Sequence, residues 1–351
     1  MEQAGRVCAR RLREPSRRTW ESPLCMGILT TGQRRRCRRT FAAFACVAAV
    51  LSAAGCSATG SGAKGSGTAA ASATGPGSAP TRISVSGAGP GSALARVSAA
   101  QRPPYITYAD VVSIRRLQNA DAKRYAVLDT YGRATLGQFA FPNYVLGINP
   151  THTEEIVSVR AGEKQAEIWT GQFPAGALTA RIASRGFNKS ESGGETVLTS
   201  GSMNYSINGS RLVAASAGIS GLDLARPKGG ASMADRADAR ELADCLGKGS
   251  YLVYFTFFRD GSVTASASDE YAPTAGQDSE TVCAVIKDET TAETRAAALR
   301  ASLAKSDLAG AKVTVSGGDH PVIKATVPVA KRGPLYLTRS SPPFMKQLLM
   351  P

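Results

Sequence analysis

Seven cysteines and two histidines are the side chains best placed by type to do chemistry in this chain of 351 residues. Cys8, Cys25, Cys37 and Cys46 come early, Cys56 stands alone after an apolar run, and only Cys245 and Cys283 follow. A chain cut at Cys56 keeps one special cysteine and one pair. That arithmetic suits an oxidising compartment and one disulfide. A Cys245–Cys283 bridge would close a loop of 37 intervening residues and stabilise by about 3–4 kcal/mol. Two unrelated buried thiols are the other reading.

The remaining candidates point away from catalysis. His152 falls in the first turn of an expected helix, where a surface or capping role suits it. His320 follows Asp319 in a Gly-rich turn and reads as a solvated hairpin tip. No Gly-x-Ser-x-Gly elbow accompanies either histidine. No cluster of His, Cys and carboxylates has metal-site spacing, and no phosphate-cradling loop occurs. Glu154-Glu155 and Asp288-Glu289 are paired acids near expected helix starts, where the helix dipole accounts for them. The aromatics Tyr251, Tyr254, Phe255, Phe257 and Phe258 read as core, with a ligand groove as the alternative. No catalytic, cofactor-binding or metal-binding residue is assigned, and a non-enzymatic protein without a cofactor is expected.

The formal charge of +15 invites a nucleic-acid reading, but its distribution argues against one. The first 55 residues hold 11 basic and 3 acidic residues, which leaves about +7 on the rest. No dense basic stripe survives there, so nucleic acid is not expected as a partner. The leader explains the excess. Arg34–Arg39 is a positive cluster, and residues 41–54 are a 14-residue apolar run. That length suits a signal peptide and falls short of the roughly 20 residues of a spanning helix. Arg38-Arg39-Thr40-Phe41 resembles the core of a twin-arginine export motif, with general secretion as the alternative. Residues 1–25 read as a disordered or mis-assigned preface to a start at Met26, and 26–55 as the signal peptide.

Ala53-Ala54-Gly55-Cys56 resembles the cleavage box of bacterial lipoproteins. Small residues suit the protease pocket, and the Cys56 thiol would take the diacylglyceryl group and become the new N-terminus. Ala53 stands where Leu is usual. Two or more acyl chains, palmitate among them, give firm anchoring. Residues 56–103 then read as a flexible Gly/Ala/Ser linker, since Lys64, Arg82, Arg96 and Arg102 are its only charges and it has little apolar surface to bury.

The body is expected as an α+β fold of two related strand–helix–strand–hairpin units with mainly antiparallel sheets, 104–230 and 231–337, followed by a tail at 338–351. Asn149-Pro150-Thr151 reads as a helix start running through Glu154, Glu155, Ile156 and Val159. Strands are expected at 166–170, 196–198, 205–207 and 212–214, with a turn at Asn208-Gly209. A helix opens at Phe173-Pro174 and ends at Gly186. In the second half a helix spans 234–246, strands follow at 251–258, 262–268 and 281–286, and Thr290–Glu293 has the form of a capping box. A final hairpin, 312–316 and 322–329, turns at Gly317-Gly318.

GINPTHTEEIVSVRAGEKQAEIWTGQFPAGALTARIASRGF, then ADCLG, then VCAV, together resemble a family of exported actinobacterial lipoproteins, from Streptomyces-like organisms in particular. The resemblance covers 104–330 and the leader. It implies a surface location and a paired Cys245 and Cys283, and no activity. The expectation is a lipid-anchored protein on the outer face of the bacterial cytoplasmic membrane, binding an unknown protein or small molecule. A transporter's solute-binding lipoprotein and a cell-envelope hydrolase are the alternatives.

Overall fold

The computed structural model describes residues 89–132, 150–201, 203–216, 219–227, 231–259, 261–306, 308, 310–340 and 348. Cys56, Arg38, Arg39 and the expected signal peptide lie outside them. The fold is α+β and mostly sheet. Its strands in the first half are β1 Tyr105–Asp110, β2 Thr153–Ala161, β3 Lys164–Gly171, β4 Asn188–Ser192, β5 Glu195–Ser200, β6 Met203–Ile207 and β7 Arg211–Ser216. In the second half they are β8 Leu252–Phe257, β9 Val263–Tyr271, β10 Ser279–Ile286, β11 Lys312–Ser316 and β12 Val322–Pro328. All twelve form one antiparallel sheet in the order β11-β12-β10-β9-β8-β1-β2-β3-β7-β6-β5-β4.

Two topologically related units lie side by side in that order. In the first, β1, β2 and β3 form a meander, helix α3 (Ala175–Ala183) follows, and the last strand of the next meander, β7, returns beside β3. In the second, β8, β9 and β10 form the meander, α6 (Glu289–Ala304) follows, and β12 returns beside β10. The units join where β1 pairs with β8, with Tyr108 opposite Val253.

Strand alternation sends apolar side chains to both faces. One face carries Ile106, Tyr108, Val157, Val159, Phe255 and Cys283. It is covered by α1 (Pro90–Ala95), the short α4 (Ile219–Leu222) and α5 (Ala237–Leu246), through Leu94, Leu222, Leu242 and Leu246. The other face is covered over the first unit by α2 (Val111–Ala120) and α3, around fully buried Trp169. Over the second unit α6 covers it with Ala292, Ala296, Leu299 and Leu303. Cys245 on α5 and Cys283 on β10 form a disulfide with Cα atoms 6.3 Å apart. Lys324 Nζ, on β12, donates to the Cys245 carbonyl at 2.6 Å, which serves one of the open carbonyls at the end of α5.

Four local expectations need correction. The helix expected from Pro150 is a single 3-10 turn, Pro150–His152, and the chain then enters β2. Ile156, Val157 and Val159 are β-branched, which favours a strand. They bury on alternate faces, Ile156 on one and Val157 and Val159 on the other. Glu154 and Glu155 therefore cap no helix. The linker expected to 103 ends earlier, because α1 occupies Pro90–Ala95 and Ala93, Leu94 and Val97 are fully buried. The cap of α6 is Asp288, which accepts from the Thr291 amide at 2.8 Å, and not Thr290. Finally α7 (Tyr336–Ser340) continues past 337, and Leu348 is buried in the core over the second unit.

Candidate functional site

The structure disperses the residues singled out for chemistry. His152 and His320 are both exposed, the first on the turn before β2 and the second on the β11–β12 turn. Asp288 caps α6. The aromatics of β8 divide between the sheet faces, with Phe255 and Phe257 on one and Tyr254 on the other. Among the described residues no group of three or more His, Cys, Asp or Glu is placed to hold a metal ion. No described helix is long and apolar enough to cross a membrane.

A cleft of about 430 Å³ forms instead around Arg96, Arg211 and Arg226. Three separate elements deliver these guanidiniums. Arg96 is the C-cap of α1, Arg211 opens β7, and Arg226 follows a 3-10 turn at Asp223–Ala225. Alternation along the strands points Glu155, Thr170, Arg211, Glu195 and Ser206 to the same face as Val157, Ile168, Val213 and Val197. Beyond the edge of that apolar layer they form a polar network.

Two carboxylates hold the arginines. Glu155 pairs with Arg96 and accepts from the Tyr108 hydroxyl at 3.0 Å and from Thr170 at 3.3 Å. Arg96 also reaches Thr170 and Ser92. Glu195 takes Arg211 Nη1 at 2.9 Å and Arg226 Nη2 at 3.0 Å, and accepts from the Ser206 hydroxyl. Arg211 Nη2 donates to the Ala225 carbonyl. Burial pushes the Glu195 carboxyl up, but the Ser206 hydrogen bond and the charges of Arg211 and Arg226 hold it below its ordinary range. Burial also lowers the Arg211 guanidinium, against the charge of Glu195. Three cations thus face two anions. Ser192 and Gly193 of the β4–β5 turn complete one wall. Gly193 and Gly194 both have positive φ, 61° and 77°, as a two-residue hairpin of this hand requires.

A second polar cluster is wholly buried, on the opposite face of the sheet near the end of the second unit. Glu270 on β9 and Glu280 on β10 stand directly opposite each other, both almost fully inaccessible. Like charges in that position repel. The Leu337 amide, in the first turn of α7, donates to both Glu280 oxygens at 3.0 and 2.8 Å. Burial still pushes the Glu280 carboxyl up to about 7, and burial with the Glu280 charge raises Glu270. Nearby, Asp278 accepts from the Tyr125 hydroxyl and from Arg124 Nε, each at 2.7 Å. A smaller cleft of about 320 Å³ lies outside this cluster, between Lys123, Arg124, Lys331 and Arg332.

Sequence reasoning missed the arginine cleft. Arg96 lies in a stretch that reads as linker from composition, and its partner Glu155 reads as a helix-start acid. The cleft's arginines arrive from three separate elements, so no local spacing marks it.

No protein-family model and no curated protein matches the chain. Among solved structures, crystal forms III and I of TP0453 are similar at 14% and 12% identity. Each alignment covers 68% of this chain and 94% or 93% of TP0453, with TM-scores of 0.37 and 0.38. At those scores the likeness carries no argument about function.

Proposed function

We propose that this is a lipid-anchored extracytoplasmic protein with a non-enzymatic binding role, exported and held on the outer face of the cytoplasmic membrane through Cys56. The address rests on the positive cluster, the 14-residue apolar run and the small residues before Cys56. The Cys245–Cys283 bridge supports it, since such bridges persist where the medium is oxidising.

The observation that carries the binding role is the arginine cleft. Its three guanidiniums line the cleft, whereas the carboxylates that hold them, Glu155 and Glu195, are committed to ion pairs. An ionised, cation-paired carboxylate is a weak proton acceptor, and neither histidine lies in the cleft. Holding a ligand suits this arrangement better than moving a proton.

Cell fractionation tests the address. Wild-type chain is expected in the membrane fraction with a mass gain on Cys56, and Cys56→Ala is expected in the medium. Membrane-bound chain with an unmodified Cys56 would sink the anchor.

A further inference from the structure

We propose that the cleft formed by Arg96, Arg211 and Arg226 binds a singly charged phosphodiester group. The proposal rests on the binding role above and names its ligand class.

Donor supply comes first. Among the described residues, Arg226 spends only Nη2, on Glu195 and Ser206, so Nε and Nη1 remain for a ligand. Arg96 uses Nη1 and Nη2 and keeps Nε. Arg211 uses Nη1 and Nη2 and keeps Nε. Paired guanidiniums with spare N–H groups are pre-organised, because the carboxylates hold them in place before any ligand arrives. The usual alternative for surface arginines is a mobile side chain in water, and these three are only about a fifth to a quarter exposed.

Charge and shape then narrow the ligand. Three guanidiniums against Glu155 and Glu195 leave one positive charge in excess. A singly charged anion neutralises the cleft, whereas a dianion would leave a surplus negative charge beside the two carboxylates. The donors arise from three elements, α1, β7 and the turn before 226, and not from one fork. A planar carboxylate is matched by a single guanidinium fork. A tetrahedral phosphate offers oxygens in several directions and suits donors that come from several sides. The volume, about 430 Å³, exceeds what a bare phosphate needs and leaves space for its ester substituents. Gly193 presents no side chain at that wall, so the substituents meet backbone there.

The cleft at Lys123, Arg124, Lys331 and Arg332 is the competing location. Arg124 is committed to Asp278, to the Ala330 carbonyl and to the ring of Tyr125. Arg332 lies over the Tyr336 ring. Asp121 also lines it, but its carboxylate accepts from the Arg124 amide, and among the described residues no ion pair fixes either lysine, so that cleft is the less organised of the two.

Isothermal titration calorimetry on the purified full chain, at matched ionic strength, tests the proposal with three probes: glycerophosphoglycerol, inorganic phosphate and acetate. Glycerophosphoglycerol is expected to bind at one site, at least tenfold tighter than acetate. Arg226→Ala is expected to weaken it at least tenfold, and Lys331→Ala in the second cleft to leave it unchanged. Arg226→Lys keeps the charge beside Glu195 and loses the fork. It is expected to weaken binding several-fold, and it serves as the folded variant if circular dichroism shows Arg226→Ala to be unfolded. Sedimentation with phosphatidylglycerol or phosphatidylcholine vesicles separates the sources. An Arg226-dependent gain on phosphatidylglycerol marks a lipid headgroup, and Arg226-dependent binding of the soluble diester alone marks a free one. Binding lost in Lys331→Ala, or unchanged in both Arg226 variants, overturns the assignment. Acetate or inorganic phosphate binding as tightly as the diester overturns the ligand class and leaves a binding cleft. Saturable heat from none of the three removes the class and the binding role together.

Discussion

At Glu280 a buried carboxyl meets two opposed demands. Burial asks for a proton, while the Leu337 amide and a hydrogen bond from the facing Glu270 ask for a charge. Burial prevails and the group titrates near 7. On the other face of the same strands, burial lifts Asp269 to about 6, against hydrogen bonds from Ser250 and Thr281. Tyr251 and Tyr254 feel the charges of the Glu pair, and burial raises both tyrosines, while Asp278 nearby is paired with Arg124. A carboxyl with a raised folded-state value binds more protons folded than unfolded between its two values. Stability from these groups is therefore present near pH 4.5 and lost as pH rises through 6 to 7. The melting temperature is expected to fall from pH 5 to pH 8, followed by circular dichroism. Glu280→Gln should flatten that slope, leaving the part due to Asp269 and to the burial of Glu270. A melting temperature that rises across the interval would contradict the arrangement. None of this was legible in the sequence. Glu270 and Glu280 are ten residues apart, and only the register of β9 against β10 sets them face to face.

Elements in this fold turn on a few backbone positions. Gly171 ends β3 where the β2 register shifts between Thr153 and Glu155. A Cβ at 171 would overlap the His152 carbonyl, whereas one at Gly162 in the β2–β3 turn would meet open space. Gly171→Ala is expected to cost clearly more than the roughly 1 kcal/mol of a strain-only change. Gly162→Ala should cost about 1 kcal/mol, from its positive φ of 61° alone. Urea denaturation of the two variants measures the difference. Asp288→Ala removes the side chain that receives the Thr291 amide at the start of α6, and should cost about 1 kcal/mol. Local signals reached many of these elements. Gly186, with φ of 85°, lies just past the end of α3, one residue beyond the expected C′ position because Ser184 is the C-cap, and the strands at 205–207 and 212–214 pair across Asn208-Gly209. They failed at β2, where Pro150 starts one turn and the β-branched run takes over. They failed again at α1, whose Gly, Ala and Ser are linker-like in composition. What buries Leu94 is the apolar face of α5, over a hundred residues away.

For the whole molecule, the Cys245–Cys283 bridge fastens a helix on one face to a strand in the second unit. Cys283 is fully buried. Reduction, or a Cys245→Ala, Cys283→Ala double variant, is expected to lower stability by about 3–4 kcal/mol. Guanidinium melts with and without reductant test this, and coincident midpoints would show that the bridge contributes nothing. The two-unit plan could be read from sequence because each unit repeats the same succession of elements. The single sheet could not, because β1 and β8 are joined only by their pairing across the two halves.

That central pairing also decides how the body would carry a load. A pull on the chain ahead of Pro90 enters through α1 and reaches β1, the strand in the middle of the sheet. There it is shared between six residue pairs with β2 and five with β8. Arg96 sits on this route, fastened to Glu155 of β2. Tension would therefore arrive at the arginine cleft before it reached either sheet edge. In a body tethered from that end, the Arg96–Glu155 ion pair would be among the first contacts to bear the force.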